Sequence, residues 1–224
     1  MIGIDGDIIA YRAAFSPSAG DVQGACDIAL EYIRTIVENL KGEERSLKLY
    51  LSGHGNFRDA IGVTQKYKGN RPETRPPLVK EVKEFLASGD WDAAVSQDEE
   101  ADDLMAIDAT TYGDAYTLCS IDKDFDQVPG QHYNFVKFRK YYVTEREAQL
   151  FFYKQILTGD RADNVPGIRG IGPVTAQKLL KPLKTDKELF DKCVELHKSY
   201  DRVVENATLL WLRRTPGEIW QPPK

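Results

Sequence analysis

Acidic side chains are concentrated in four short segments of this sequence. They occupy residues 5–7, 98–103, 122–126 and 159–163, where strands are predicted to end or helices to begin. Taken alone, the acids of residues 98–103 could do no more than stabilise a helix N-terminus, where negative charge is favourable. Those of residues 122–126, taken alone, could form a solvated turn. Asp5 and Asp7 differ, because unpaired acids at the end of an apolar strand are costly. The common placement of these segments predicts one joint site.

The predicted site is suited to hard divalent cations. Closely spaced carboxylates repel one another unless cations lie among them. Oxygen ligands without histidine or cysteine suit Mg²⁺ or Mn²⁺ far better than zinc. Two such ions can activate a water molecule and stabilise the leaving oxygen of a phosphodiester, which is the two-metal scheme of hydrolysis.

Apolar periodicity predicts the elements that bring these acids together. Strands are predicted at residues 1–5, 47–51, 93–96 and 116–120, with an edge strand at 132–138. The helices predicted among them cover residues 27–40, 78–86 and 101–112. This alternation predicts an α/β fold with a mostly parallel central sheet flanked by helices. In such a sheet the carboxyl ends of the strands converge on one crevice, so three of the four acidic segments should meet there.

A glycine-rich segment, from Gly167 to Gly172, lies between two predicted helices at residues 145–158 and 173–180. Glycines permit a tight turn and a close approach of the backbone to a ligand, and exposed amides at a helix N-terminus bind phosphate. A plain helix–helix connection is the alternative, but Arg169 inside the turn favours a phosphate-binding hairpin. The basic surface continues in Lys178, Lys181, Lys184 and Lys187.

These patterns predict two parts of the chain. Residues 1–143 form an α/β catalytic domain with the acidic site and a short basic, arch-like segment near residues 57–92. Residues 144–224 form a helical region with the hairpin, a further helix predicted at 186–210, and a C-terminal tail. The basic residues of the first stretch of the arch-like segment are Arg58, Lys66, Lys68, Arg71 and Arg75.

Composition narrows the classes of function. The 224 residues are 42% hydrophobic, and no stretch approaches the roughly 18 consecutive apolar residues of a membrane span. The N-terminus lacks the pattern of a signal peptide, and the three scattered cysteines fit reduced thiols in a cytoplasmic protein. The net charge of −5 argues against a nucleic-acid partner only if the acids are spread evenly, which they are not.

Taken together, these segments resemble the 5′-nuclease (flap endonuclease) superfamily, and most closely the bacteriophage 5′→3′ exonucleases. The similarity runs from Gly3 to about Leu180, and its strength lies in the order of the motifs rather than in any one of them. The matching stretches are GIDG from residue 3, YKGNR from residue 67, EADD from residue 100, DKD from residue 122, and GDRADNVPG from residue 159, continuing to Gly172.

The resemblance implies a hydrolase of DNA, or of RNA–DNA hybrids, that uses two Mg²⁺ or Mn²⁺ ions and leaves 5′-phosphate products. It implies Lys68, Asp5 and Asp122 as catalytic residues, with Lys68 contacting the scissile phosphate. The implied metal ligands, direct or through water, are Asp5, Glu100, Asp102, Asp103, Asp122, Asp124, Asp160 and Asp163. The implied DNA-binding residues are Arg58, Lys68, Arg71, Gly167, Arg169, Gly170, Gly172 and Lys178.

The glycine hairpin resembles the helix–three-turn–helix element that grips the duplex backbone in this superfamily, often with a K⁺ ion. The implied substrate is DNA with a free 5′ end or a 5′ flap, cut by a monomer in the cytoplasm of a bacterial host. Setting aside the eight implied metal ligands leaves the rest of the chain mildly basic, which suits DNA.

Two departures from the family pattern stand out. Many members carry an aspartate after the second strand, where this chain has Ser52. The segment of residues 57–92 is also short for a full helical arch.

Three other functions remain open at this level. In a haloacid-dehalogenase-type phosphatase, Asp5 would be the nucleophile and Asp7 the acid/base. A non-catalytic protein would bind the DNA backbone through the hairpin, and a small RNase of the related PIN type would share the acidic sheet edge. The nuclease hypothesis alone uses every feature.

Overall fold

The computed structural model describes residues 1–42, 46–71 and 77–224. Within these residues, one sheet has the strand order β3-β2-β1-β4-β5-β6, and every neighbouring pair is parallel except β5 and β6. Its strands are β1 (Ile2–Asp5), β2 (Leu47–His54), β3 (Asp92–Gln97), β4 (Thr117–Cys119), β5 (Gly130–Asn134) and β6 (Arg139–Val143). The predicted fold class, a mostly parallel sheet flanked by helices, is confirmed.

Helices cover both faces of this sheet and form the C-terminal part of the chain. They are α1 (Gly6–Ala14), α2 (Val22–Leu40), α3 (Val79–Ala87), α4 (Ala101–Tyr112), α5 (Glu145–Thr158), α6 (Pro173–Leu180), α7 (Asp186–His197) and α8 (Tyr200–Leu210). A two-residue antiparallel ladder, β7 (Gly159–Asp160) with β8 (Val165–Pro166), follows α5. No helix in the described part of the chain combines the length and apolarity that crossing a bilayer requires.

Helix α1 was not predicted, and it begins directly at the end of β1. The carboxylate of Asp5 accepts a hydrogen bond from the amide of Ile8 at 3.0 Å, which satisfies an amide that the helix itself leaves free. The buried face of α1 is short, with Ile9, Ala10 and Ala13 as its apolar members. Helix α2 likewise begins earlier than predicted, because Asp21 caps it.

Two predicted elements are divided in the structure. The single edge strand predicted at residues 132–138 is a hairpin, in which β5 turns through Phe138 (φ 50°) into the edge strand β6. The helix predicted at 186–210 is two helices, because Lys198 adopts a left-handed φ of 58° and Ser199 caps α8. Residues 72–76, which include Arg75, lie outside the described residues.

The described residues form three buried apolar clusters. One lies under α1, α2 and α3 on one face of the sheet, and a second lies between α4 and the sheet on the other face. The third is formed by the helical region, with Phe152, Ile156, Leu189 and Trp220 among its members. Tyr67, from the arch-like segment, is also buried in the third cluster. The part of the arch-like segment around Tyr67 is therefore packed against the helical region.

Candidate active site

Acidic residues lie where the strand order changes direction. The chain moves outward from β1 through β2 to β3 and then crosses back to β4 on the other side of β1. Ligands of open α/β sheets bind at such a point. Asp5 ends β1, and its second carboxylate oxygen accepts a hydrogen bond from the hydroxyl of Ser120 at 2.7 Å. Asp122 follows β4 and accepts a hydrogen bond from the amide of Asp124 at 2.9 Å.

A cleft of about 440 Å³ opens at this point. Asp102, in the first turn of α4, lines the cleft together with Asp5 and Asp122, and Lys68 lines it from the arch-like segment. Further lining residues with polar side chains include Asp7, Ser52, Asn56, Arg71, Lys83, Glu99 and Glu100. Three of the four acidic segments therefore meet, as the parallel-sheet argument predicts.

Two carboxylates of the cleft, those of Asp5 and Asp102, are in surroundings that disfavour their charged forms. Burial, opposed by two hydrogen bonds and reinforced by repulsion from Asp7 and Asp122, raises the pKa of Asp5 to about 7. Burial and repulsion from Asp5 raise the pKa of Asp102 well above its ordinary value. In the part of the chain that the structure describes, no three carboxylate, histidine or cysteine side chains already surround one ion-sized centre. The donor set nevertheless fits a hard divalent cation, which would relieve this repulsion.

A second group of acids adjoins the cleft and is partly neutralised by lysine. Lys123 donates to Asp160 at 2.8 Å and lies 3.3 Å from Asp124, which also accepts a hydrogen bond from Gln155 at 2.8 Å. Burial and repulsion from Asp122 raise the pKa of Asp124 to about 7. Burial also acts to raise the pKa of Asp160, but the hydrogen bond and charge of Lys123 outweigh it and lower that pKa.

Lys68 and its neighbour Tyr67 connect the two groups of acids. The ammonium of Lys68 forms an ion pair with Glu100 and lies 3.7 Å from the carboxylate of Asp163. The hydroxyl of Tyr67 donates to Asp163 at 2.9 Å and to Glu100 at 3.2 Å. Arg71 donates to Asp163 at 2.8 Å. The YKGNR motif therefore places the Lys68 ammonium and the Tyr67 hydroxyl between Glu100 of the cleft and Asp163, which belongs to the same acidic segment as Asp160.

Two residues do not occupy the places expected from the resemblance. Asp103 is fully buried, and both of its carboxylate oxygens accept hydrogen bonds from Arg58, at 2.6 and 2.8 Å. Arg58 is 1% exposed and also donates to the carbonyl oxygens of Leu209 and Trp211. Burial alone would raise the pKa of Asp103, but the pairing with Arg58 lowers it. In the structure, then, Asp103 is bound to a guanidinium and does not line the cleft, and Arg58 is buried against it, so the geometry supports neither the metal-ligand nor the DNA-binding assignment.

The glycine hairpin lies beside a broad open groove of about 1130 Å³. Arg169 and Gly170 are exposed at the tip of the turn, and Gly170 has a φ of 88° with open space where a Cβ would lie. Gly172 caps α6, and Lys178 is exposed on that helix. Gly167 has a different role, because a Cβ there would collide with the last carbonyl of α5. The hairpin can pack against the end of α5 only because Gly167 has no side chain.

Several polar residues of the site were not assigned from the sequence. Lys83 forms an ion pair with Asp7 at 2.7 Å and donates to the carbonyl of Ser52 at 2.8 Å. The amide of Ser52 in turn donates to Asp7 at 3.0 Å. The carboxylate of Asp7 therefore lies beside Ser52, the position at which many family members carry an aspartate. The sequence signal for Lys83 was its position four residues, about one helical turn, after the buried Val79, which places it on the buried face of α3. Lys123 stands inside the DKD motif itself.

The raised pKa of Asp5 predicts an unusual dependence of stability on pH. Because the native state holds this proton up to about pH 7 while the usual value is 3.8, the free energy of unfolding should fall as pH rises through that window. Asp5→Asn keeps an oxygen for the cap of α1 but removes the charge. In EDTA at about pH 8 we expect this variant to be more stable than the wild type, by about 1–2 kcal/mol, since one pKa unit corresponds to about 1.4 kcal/mol.

Thermal unfolding in EDTA at about pH 5 and about pH 8 measures this effect. Asp27→Asn, which changes an exposed acid on α2, is the matched control and should follow the wild type at both pH values. An equal loss of stability with rising pH in Asp5→Asn and the wild type would show that the Asp5 proton is not held in the native state.

The chain is similar to known proteins in sequence and in structure. The sequence model described as 5′-3′ exonuclease, N-terminal resolvase-like domain, matches residues 1–156. DNA polymerase I of Bacillus caldotenax is 30% identical over 209 residues, which are 83% of this chain and 24% of that protein. Flap endonuclease Xni of Vibrio campbellii is 29% identical over 172 residues, covering 66% of this chain and 64% of that protein.

The fold also matches a solved structure. A crystal structure of the bacteriophage T5 flap endonuclease, a pseudo-enzyme–product complex with DNA and metal ions, superposes with a TM-score of 0.74 at 18% identity, covering 93% of this chain and 88% of that one. This similarity shows the shared fold. The chain spans about a quarter of the length of the DNA polymerase I sequences that it matches. Because the matched family region contains the sheet and the acidic cleft, the chain belongs to the family of 5′-3′ exonuclease N-terminal, resolvase-like domains.

Proposed function

We propose that this protein is a divalent-metal-dependent 5′-nuclease that hydrolyses DNA phosphodiesters as a 5′→3′ exonuclease and flap endonuclease. One observation carries the proposal: Asp5, Asp102 and Asp122, from three separate segments, line the same cleft as Lys68. Membership of the 5′-3′ exonuclease family supports it. The phosphatase alternative loses support, because Asp7, its acid/base, is bound to Lys83.

The chain's own residues supply three elements of the reaction. Asp5, Asp102 and Asp122, with Glu100 nearby, would hold Mg²⁺ or Mn²⁺, and Asp124, Asp160 and Asp163 would help to hold a second ion. When bound, these ions supply Lewis acidity and lower the pKa of a water molecule. Lys68 presents a positive charge to the scissile phosphate and stabilises the negative charge that develops on it. The cleft thus combines cation binding with a fixed ammonium group.

The proposed DNA path leads from the cleft to the glycine hairpin. Asp160 lies in the hairpin groove together with Arg169 and Gly170, so the second acidic group adjoins the place where backbone amides are exposed. We extend the proposal to duplex binding by the hairpin and α6, where the exposed backbone of residues 167–172 would also hold a K⁺ ion. Phosphate contacts of this kind position a duplex without reading its sequence.

A digestion experiment tests the proposed activity. The substrates are a 5′-labelled duplex, a 5′-flap duplex and an RNA–DNA hybrid, each incubated with Mg²⁺ and with EDTA. We expect short 5′-phosphorylated products with Mg²⁺ and no product with EDTA, and the product lengths separate exonuclease from flap cleavage. Tight binding without cleavage in either Mg²⁺ or Mn²⁺ would instead indicate a non-catalytic DNA-binding protein. The absence of both binding and cleavage would overturn the proposal.

The hairpin predicts a salt-dependent loss of affinity in Arg169→Ala. Removing one phosphate contact should weaken duplex binding about uniformly across sequences and reduce the slope of log K against log salt by about 1. Fluorescence anisotropy in EDTA at several salt concentrations measures that slope. The control is Arg34→Ala, which removes an exposed arginine from α2. This helix lines neither the acidic cleft nor the groove beside the hairpin. An unchanged slope in Arg169→Ala would remove the hairpin from the DNA-binding surface.

A further inference from the structure

Asp103 joins the N-terminus of α4 to two distant parts of the chain. Besides Arg58, its carboxylate accepts hydrogen bonds from the amide of Glu100 at 3.1 Å and from the amide of Arg213 at 3.1 Å. Arg213 belongs to residues 211–220, which follow α8 and are called here the C-terminal segment. The backbone of the acidic motif is therefore bound, through one buried carboxylate, to the C-terminal segment.

The side chain of Arg213 makes a second connection to the same acidic motif. Its guanidinium donates to the carboxylate of Glu99 at 2.7 Å and to the carbonyl oxygen of Glu218 at 2.9 Å. It also stacks on the ring of Phe57, with 3.8 Å between the guanidinium carbon and the ring centroid. Arg213 is 8% exposed, so these contacts are made away from bulk water, where charge-assisted hydrogen bonds are strong.

The carboxylate of Glu218 keeps the C-terminal segment itself in place. It accepts hydrogen bonds from the amides of Arg214 at 2.5 Å and Thr215 at 3.3 Å, which closes a short turn. Leu212 also donates from its amide to Gln127 at 2.9 Å, in the turn that follows Asp122. The C-terminal segment is therefore bound to the elements that carry two of the acidic groups.

Residues held by this arrangement line the cleft. Glu99 and Glu100 lie in the wall of the cleft together with Asp102, and Glu100 accepts a further hydrogen bond from Asn56 at 2.9 Å. Like charges gathered in this way repel one another. The guanidinium of Arg213, which binds Glu99, opposes an outward movement of residues 99–102.

We propose that Arg213 is a positioning residue of the cleft. Its side chain fixes Glu99 through an ion pair, next to the start of α4 that its backbone amide binds through Asp103, so that Glu100 and Asp102 stay oriented for cation binding. Arg213 itself touches neither the cation nor the DNA. This inference rests on the proposed metal-dependent activity and adds a role for the C-terminal segment.

The test compares Arg213→Met and Arg213→Lys with the wild type. Methionine keeps much of the side-chain volume but loses the ion pair, while lysine keeps the charge and loses the planar stacking on Phe57. Mn²⁺ binding without DNA is measured by titration calorimetry, and the Mg²⁺ concentration for half-maximal cleavage is measured on the flap duplex. Lys192→Met, which breaks an ion pair with Glu195 on α7, is the matched control.

For Arg213→Met we expect Mn²⁺ binding about 10-fold weaker, a matching increase in the Mg²⁺ requirement, and duplex affinity in EDTA within about twofold of the wild type. Arg213→Lys should lie between that variant and the wild type, and Lys192→Met should equal the wild type. Unchanged Mn²⁺ binding in Arg213→Met, with only a lower melting temperature, would overturn the inference.

Two further outcomes remain interpretable. If Arg213→Met does not fold, Arg213→Lys decides the question alone, because Mn²⁺ binding equal to the wild type would then contradict the proposal. If the wild type itself cleaves no substrate, the proposed function fails, whereas the inference about Arg213 fails when Mn²⁺ binding is unchanged in Arg213→Met, or in Arg213→Lys if the methionine variant does not fold.

Discussion

Asp122→Asn is expected to lower the rate of Mg²⁺-dependent cleavage by about 10³-fold or more. Asp122 lies at the switch point between β1 and β4, lines the cleft and repels the carboxylate of Asp124 more strongly than any other acid does. Asparagine keeps the acceptor oxygen that caps the turn after β4, so the fold should survive while the negative charge is lost. Charge stabilisation by a metal ion is worth several kcal/mol, and each 1.4 kcal/mol corresponds to about tenfold in rate.

The same turn offers a matched control for this substitution. Asp126→Asn makes the identical chemical change four residues later, where the carboxylate accepts a hydrogen bond from Tyr141 at 2.9 Å and faces a different groove. Single-turnover cleavage of the flap duplex should separate the two variants, with duplex affinity in EDTA unchanged for both. Wild-type cleavage by Asp122→Asn would remove Asp122 from the catalytic residues.

Lys68→Ala is expected to lower kcat by about 10²–10³-fold while KM stays within a few-fold of the wild-type value. The ammonium lies between Glu100 and Asp163, at the junction of the two acidic groups, and its side chain is only 23% exposed. A fixed charge at that place acts on the charge that develops in the transition state, and removal of one such donor has an effect of this size. Steady-state and single-turnover kinetics on the flap duplex give kcat and KM separately.

Lys66→Ala is the control for nonspecific loss of positive charge. Lys66 is exposed two residues earlier in the chain, so its loss should change KM at low salt and leave kcat unaltered. A Lys68→Ala variant that loses only substrate affinity, with kcat intact, would contradict the catalytic assignment and reduce Lys68 to a binding residue.

Local sequence signals account for most of the elements that carry the site. The predicted bounds of α4, α5 and α6 agree with the structure, because α5 begins with a capping box at Thr144 and Glu147 and α6 begins with Pro173. The meeting of three acidic segments follows from the parallel-strand rule alone, which needs only the ends of strands. Helix α1 was not predicted because its sequence signal is the single capping carboxylate of Asp5, a residue that was assigned to metal binding.

The contacts that the sequence did not indicate join residues that are distant in the chain. Arg58 and Asp103 are 45 residues apart, and nothing in either local segment indicates that the two bind each other. The sequence motif alone does not distinguish one acid from the next. In the fold, Asp102 faces the cleft and the adjacent Asp103 is buried, although both lie in the first turn of α4. The contacts of Lys83 with Asp7 and of Arg213 with Glu99 were invisible for the same reason.

The buried pair of Arg58 and Asp103 also has a consequence for the order in which the chain can fold during synthesis. Arg58 needs the carbonyl oxygen of Leu209, 151 residues later in the chain, before all of its donors are satisfied. A buried charge that lacks its partners is strongly destabilising. On a ribosome, which adds about 5–20 residues each second, this arginine stays hydrated until α8 has emerged. The sheet can therefore form early, while the acidic cleft acquires its final shape only when synthesis has passed the last helix.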